Sequence, residues 1–251
     1  MVEKKRLPIW LRILLAVFGL LVTLMLGFVI WGSVPAGPMP EAMNALQSDD
    51  KVTVTEDAWL TFRPANIQPV TGFIIYPGGR VDYRAYAPAA HQIAEKGYLV
   101  VIVPMPLNLA VFNPNAAMKV ISAHPEIQLW VVGGHSLGGA MAANFVYTHP
   151  NKVNGLVLWA AYPAGSNDLS GADIQVVSIS ATLDGLSTPD KITASIPLLP
   201  SSTTWVEIEG GDHAQFGWYG DQPGDNPATI TRDEQQARVV QATVALLETL
   251  K

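Results

Sequence analysis

The sequence predicts an α/β fold: a mostly parallel sheet with helices on both faces, an antiparallel pair at its start, and one membrane-length helix ahead of it. Three observations carry this. From Gly72 onward, short apolar runs alternate with helical segments, the pattern of strands that need crossover helices to lie parallel. Residues 98–103 are apolar at every position, as a strand buried on both faces requires. Residues 129–140, LWVVGGHSLGGA, read as a strand, a turn too tight for ordinary residues, and the start of a helix.

Composition bounds the answer. A chain of 251 residues with 49% hydrophobic content suits one α/β domain with a large core. It holds no cysteine, which excludes disulfides, thiolate metal sites and a cysteine nucleophile. The net charge is −6 and no basic cluster follows the first dozen residues, which argues against a nucleic-acid partner.

At the N-terminus, Lys4, Lys5, Arg6 and Arg12 precede an uncharged run of 18 residues, 13–30. At about 1.5 Å per residue, a helix of that length nearly spans the roughly 30 Å hydrocarbon layer. Trp10 and Trp31 flank it as interfacial aromatics do, and Arg12 can snorkel to the headgroups. The expected organisation is a cytoplasmic basic segment (1–12), a transmembrane anchor (13–31), a linker (32–48) and an extracytoplasmic catalytic domain (49–251). A cleaved secretory signal competes with this, with Val34-Pro35-Ala36 as a small-residue site. The apolar run exceeds the usual ~7–15 residues of a signal core and is apolar on every face. Four of the 15 basic residues and one of the 21 acidic ones precede the span, so the remainder is acidic and has little attraction to anionic lipid.

After the anchor, residues 33–40 hold three prolines and read as a short stiff tether. Residues 52–55 and 58–62 read as two strands of a hairpin around Asp57, and 72–76 as a third, stopped by Pro77-Gly78-Gly79. A helix over 86–96 tolerates Pro88 in its first turn and ends at Gly97. A second helix covers 115–124 with Asn115 as N-cap. Further strands fall at 153–159, 175–180 and 204–208, and an amphipathic helix closes the chain over 232–250.

The chemistry centres on Gly134-His135-Ser136-Leu137-Gly138, a G-x-S-x-G pattern. Glycines two residues either side of Ser136 leave no Cβ to clash where the backbone doubles back. The following helix aims its first N–H groups at the same spot, favouring negative charge there. One segment thus supplies a nucleophile and, through the Leu137 amide, half of an oxyanion hole. A serine hydroxyl needs a base. Of five histidines, His91 lies within a helix, and His124 and His149 sit at helix ends as dipole partners. His135 abuts the serine, and its side chain is expected to point elsewhere in a structural role. His213, in Gly210-Gly211-Asp212-His213 beyond the last strand, lies at the sheet edge that carries Ser136. Asp184 follows the strand at 175–180 and falls at that edge too. Its rivals are Asp173, before the strand, Asp168, in a loop, and Asp212, beside the histidine. The second oxyanion donor belongs to the loop after the third strand: the Gly79 amide, with Gly78 or Arg80 as alternatives. Phe216, Trp218 and Tyr219 either wall a pocket or pack the histidine loop. Asp221, Asp225 and Asn226 match no calcium-loop spacing.

YPGG, GGHSLGG, the Asp184-Gly185 loop and the His213 loop together resemble an α/β-hydrolase, from about Val52 to the end of the chain. The chain is most similar to small bacterial members of the dienelactone-hydrolase-like type, although those carry a cysteine where this chain has Ser136. The resemblance implies an eight-stranded sheet and a triad of Ser136 as nucleophile, Asp184 as acid and His213 as base. Many lipases and esterases of the family insert a helical lid; the roughly fifteen residues 160–174 are too few for one. The expected activity is hydrolysis of an ester or related acyl bond on a small-molecule substrate, with no metal or organic cofactor. A catalytically silent binding module, or an acyltransferase, thioesterase or lactonase with the same triad, are the alternatives.

Overall fold

The computed structural model describes residues 7–250, so Lys4, Lys5 and Arg6 of the basic segment lie outside the described residues. The apolar run forms helix α1 (Ile9–Ser33, 25 residues), about 37 Å long at 1.5 Å per residue. Ile13, Leu14, Leu15 and Ile30 are exposed on different sides of it, and only Gly32 is buried. The helix is long and apolar enough to cross a membrane, a property it shares with signal sequences.

The tether reading of residues 33–40 needs correction. Prolines hold this stretch extended and leave the remaining N–H groups free to pair with the domain. Ala36 forms a bridge with Val81, the Met39 N–H donates to the Trp218 carbonyl at 2.8 Å, and a short helix α2 (Pro40–Asn44) follows. The segment is built onto the catalytic domain.

Eight strands form one sheet: β1 (Val52–Glu56), β2 (Leu60–Pro64), β3 (Thr71–Tyr76), β4 (Leu99–Ile102), β5 (Leu129–His135), β6 (Gly155–Trp159), β7 (Gln175–Ala181) and β8 (Thr204–Ile208). Their order is β1-β2-β4-β3-β5-β6-β7-β8. Only β1–β2 and β2–β4 pair antiparallel. Every position of β3 is buried, because helices cover both faces. Beneath α3 (Ala87–Ala94) and α7 (Arg232–Glu248) lie Phe73, Ile75, Val131 and Trp159. On the other face Ile74, Tyr76, Val132 and Leu158 meet α4 (Ala116–Ala123) and α5 (Leu137–Thr148). Each such side chain contributes about 1.5–3 kcal/mol on burial. Residues 160–174, between β6 and β7, contain no helix, so no lid covers the sheet edge there.

Local differences have local causes. β2 begins two residues later than its alternation suggests, because Glu56 pairs with Leu60 and Asp57 to Trp59 form the turn. Asn115 occupies the position before α4 but its side chain makes no cap bond. The first helix of the domain starts with a 3-10 turn (Tyr83–Tyr86) capped by Asp82, whose carboxylate accepts the Arg84 N–H. Helix α6 (Pro189–Ala194), opened by a proline in its first turn, carried too short an apolar pattern to be read.

Candidate active site

β5 runs to His135 and α5 begins at Leu137, leaving Ser136 alone at the turn with φ 52° and ψ −122°. A non-glycine residue held there costs of order 1–3 kcal/mol and persists only where its surroundings impose it. The surroundings are visible. A Cβ at Gly134 would lie 2.3 Å from the Tyr76 carbonyl oxygen, and one at Gly138 only 2.1 Å from that same oxygen. The Ser136 N–H donates to the Trp159 carbonyl at 2.9 Å, pinning the elbow to β6. Ser136 itself is half-buried.

Asp184 follows β7 and His213 follows β8, and the two meet. His213 Nδ1–H donates to Asp184 Oδ2 at 2.8 Å, with both side chains fully buried. The other carboxylate oxygen accepts the N–H groups of Leu186 (2.8 Å) and Ser187 (2.7 Å). A carboxylate so held fixes the proton on Nδ1 and leaves Nε2 as an acceptor. That Nε2 is buried with no hydrogen-bond partner, so Ser136 and His213 are not hydrogen-bonded to each other among the described residues. Of the rival acids, Asp212 accepts the Gln215 N–H and Asp168 the Ser170 N–H. Asp173 precedes β7, at the opposite sheet edge.

The His135 side chain is buried between Tyr86 and the His213 loop. Its ring lies 4.5 Å from that of His213 and stacks on Phe216 at 5.7 Å and 10°. Tyr86 bridges it to the glycine loop: the hydroxyl accepts the Gly78 N–H at 2.9 Å and lies 2.9 Å from His135 Nδ1. With one proton to give and Gly78 on its acceptor side, Tyr86 donates to His135. Burial, and then the neighbouring His213, hold the His135 imidazole well below its usual pKa, so it is neutral. Burial pushes the Tyr86 hydroxyl up, keeping its proton in place.

The glycine loop narrows the oxyanion choice. The Gly78 amide is committed to Tyr86, and that of Arg80 donates to the Asn108 carbonyl at 2.8 Å. Among the described residues, the Gly79 N–H has no such partner. Gly79 also adjoins the elbow, since a Cβ there would lie 3.1 Å from Leu137 Cδ2. Two clefts flank this point. One, of about 290 Å³, is lined by Ser136, Leu137, Ala161, Tyr162 and Leu186. The other, of about 630 Å³, lies between Gly79 and the end of α1.

Phe216 and Trp218 are buried and pack the histidine loop, whereas Tyr219 also lines the larger cleft. Asp225 binds backbone: one oxygen accepts the Gly185 N–H (2.9 Å) and the other the Ala214 N–H (2.8 Å), tying the Asp184 loop to the His213 loop. Arg232 donates to the carbonyls of Ala214, Gly217 and Gly220 in the same loop. Tyr86, Asp225 and Arg232 were missed as site-builders, because each acts on backbone eight or more residues away and no motif marks it. Among the described residues, Asp49, His91 and Glu95 gather three metal-ligating groups at the α2–α3 corner. There the two ring nitrogens of His91 face different carboxylates, at 3.6 and 3.7 Å.

A model of the alpha/beta hydrolase family matches residues 72–237, about two thirds of the chain, and the chain belongs to that family. No curated protein matches it in sequence. Among solved structures it is similar to the thermophilic esterase Est2 of the planctomycete Thermogutta terrifontis, at 14% identity and a TM-score of 0.57, over 80% of this chain and 92% of that one. A predicted CIB-like hydrolase from Thermoplasma acidophilum aligns at 14% identity and 0.59, over 79% and 99%. The esterase domain of a Rhodothermus marinus protein aligns at 15% and 0.55, over 78% and 96%. At such identities the likeness is one of fold.

Proposed function

We propose that the chain is a serine hydrolase that cleaves carboxylic esters through an acyl-enzyme, held at a membrane by α1 with its catalytic domain outside the cytoplasm. The buried His213–Asp184 pair, with the far nitrogen of the imidazole unpartnered and its ring 4.5 Å from that of His135, the residue before the strained serine elbow, carries this reading. Ser136 Oγ attacks the ester carbonyl while His213 Nε2 takes its proton. The tetrahedral oxyanion sits between the amides of Leu137 and Gly79. The imidazolium, stabilised by Asp184, gives that proton to the departing alkoxide, which leaves as the alcohol. Water then adds to the acyl-enzyme with His213 again as base, releasing the acid and restoring the serine. Catalytic hydrogen bonds are often long before substrate binds, so an unpaired Ser136 is compatible with this role.

The anchor reading draws support from the docked segment after α1. Cleavage after Ala36 would remove the Trp31 and Val34 carbonyls that accept from the Arg80 guanidinium, and the Gly32 carbonyl that accepts from Asn108. A fluorophosphonate probe tests the chemistry; an esterase of this fold is recorded phosphorylated by paraoxon. The wild type is expected to take the label and to cleave short p-nitrophenyl esters, and Ser136→Ala to do neither. Folded wild type resisting both would end the proposal.

A further inference from the structure

We propose that the cleft between the end of α1 and the oxyanion loop receives the hydrocarbon chain of an amphiphilic ester drawn from the bilayer. Substrate then reaches Ser136 from the membrane surface. The inference rests on the membrane-anchored hydrolase reading above and adds a substrate class and a route to it.

The cleft holds about 630 Å³, within the ~300–1,000 Å³ range of sites that enclose a small organic ligand. Trp31 and Val34, at the end of α1, form one wall with Leu109, and Gly79 borders its inner side; Asp221 and Gln222 give it a polar edge. One part of the lining thus suits a hydrocarbon and another a polar head.

Its position relative to the bilayer is set by how α1 is attached. The last carbonyls of a helix lack intrahelical partners. Here Arg80 Nε donates to the Trp31 carbonyl at 3.0 Å and Arg80 Nη2 to that of Val34 at 2.8 Å. The guanidinium also lies 4.3 Å above the Trp31 ring. Asn108 Nδ2 donates to the Gly32 carbonyl at 2.9 Å, and a Cβ at Gly32 would lie 3.0 Å from Leu107 Cβ. The helix end cannot swing away from the cleft without losing these bonds. A helix apolar all round seeks lipid on every side, so its end, marked by Trp31, lies at the bilayer surface, and the cleft opens there.

A second contact agrees. Phe112 packs edge-on against Phe28 at 6.1 Å and 79°. Phe28 lies three residues, about 4.5 Å, deeper along α1 than Trp31. Phe112 and Val111 are 50% and 44% exposed, apolar side chains of the catalytic domain presented at lipid depth. Their loop carries Leu109, so the wall of the cleft dips into the interface.

The cleft adjoins the elbow through Gly79. A Cβ at Gly79 would lie 3.7 Å from Leu109 Cδ2 and 3.1 Å from Leu137 Cδ2. Leu109, Gly79 and Leu137 therefore line up from the cleft to the elbow. The 290 Å³ cleft on the other side of Leu137 is left for the second arm of the ester.

The test uses the full chain in phosphatidylcholine vesicles. p-Nitrophenyl palmitate dissolved in the bilayer is compared with p-nitrophenyl butyrate in the water. Leu109→Trp fills the cleft; Val34→Glu places a charge in it at a position exposed enough to spare the fold. The ratio of kcat/KM for palmitate over butyrate is expected to fall about tenfold in each variant. A change of less than threefold in Val34→Glu and in every variant that folds overturns the inference. So does a wild type that cleaves butyrate but not palmitate, or one that takes the probe at Ser136 yet cleaves neither; these leave the serine assignment standing. A wild type that cleaves neither ester and refuses the probe overturns both readings.

Discussion

Replacing Tyr86 by phenylalanine removes one oxygen and tests the buried bridge beneath the site. The hydroxyl accepts the Gly78 N–H and donates to His135 Nδ1, each at 2.9 Å, and Tyr86, His135 and Gly78 are all buried. Phenylalanine keeps the ring against Trp159, 6.4 Å away, so little packing is lost. What remains is one donor and one acceptor with no water to turn to. Two lost hydrogen bonds are worth about 0.5–1.5 kcal/mol each, and a buried group left unpaired costs about 1–3 kcal/mol. Because these two costs overlap for each group, the expected destabilisation is about 2–5 kcal/mol. Urea unfolding of the detergent-solubilised full chain, followed by tryptophan fluorescence, measures it. The freed Gly78 N–H also loosens the peptide next to Gly79, the proposed oxyanion donor, so kcat for a short ester is expected to fall about tenfold with KM little changed. A loss below 1 kcal/mol would refute the reasoning, since it would mean the bridge is either solvated or not formed.

Two further outcomes follow from the same geometry. His135 resists protonation in the folded protein, whereas the unfolded chain binds that proton near pH 6.5. Its contribution is therefore fully present above that pH and is lost as pH falls below it, by up to about 1.4 kcal/mol per unit. His135→Gln is expected to flatten the plot of unfolding free energy between pH 7 and 5 by that amount, and an unchanged slope would contradict it. Asp184→Asn keeps the shape of the loop but no longer holds the Nδ1 proton with a charge. It is expected to lower kcat about 10³–10⁴-fold while leaving KM within a fewfold, as read by steady-state hydrolysis of p-nitrophenyl butyrate.

How much of this was legible in the sequence depends on whether a feature is periodic or long-range. β5 and α5 announce themselves through an apolar run, two glycines and a small-residue helix, and the placing of Ser136, Asp184 and His213 at one sheet edge follows from the strand that precedes each. His135 shows where the reading stopped short. The apolar residues of that stretch, 129–132, mark a strand that stops short of the histidine. The strand continues to His135, with Gly133 and Gly134 paired to both β3 and β6. Alternation of period two then puts residues 131, 133 and 135 on one face. Val131 lies in the core shared with α3 and α7, which also holds Tyr86, Phe216 and Tyr219. Strand parity thus gives the face of His135, and the structure places the His213 loop on that same face. No comparable rule reaches Arg80. Its φ of 56°, its carbonyl bonded to Ala36 and its guanidinium on the end of α1 join segments nearly fifty residues apart. Prolines in residues 33–40 signalled stiffness but not attachment, because a stiff extended segment and a docked one have the same composition. The difference lies in the partner that waits for its N–H groups, and here that partner is the loop that carries Gly79. The end of α1 is therefore also a wall of the cleft beside Gly79, and a displacement of that helix reaches the glycine loop through Arg80 before it reaches any strand of the sheet.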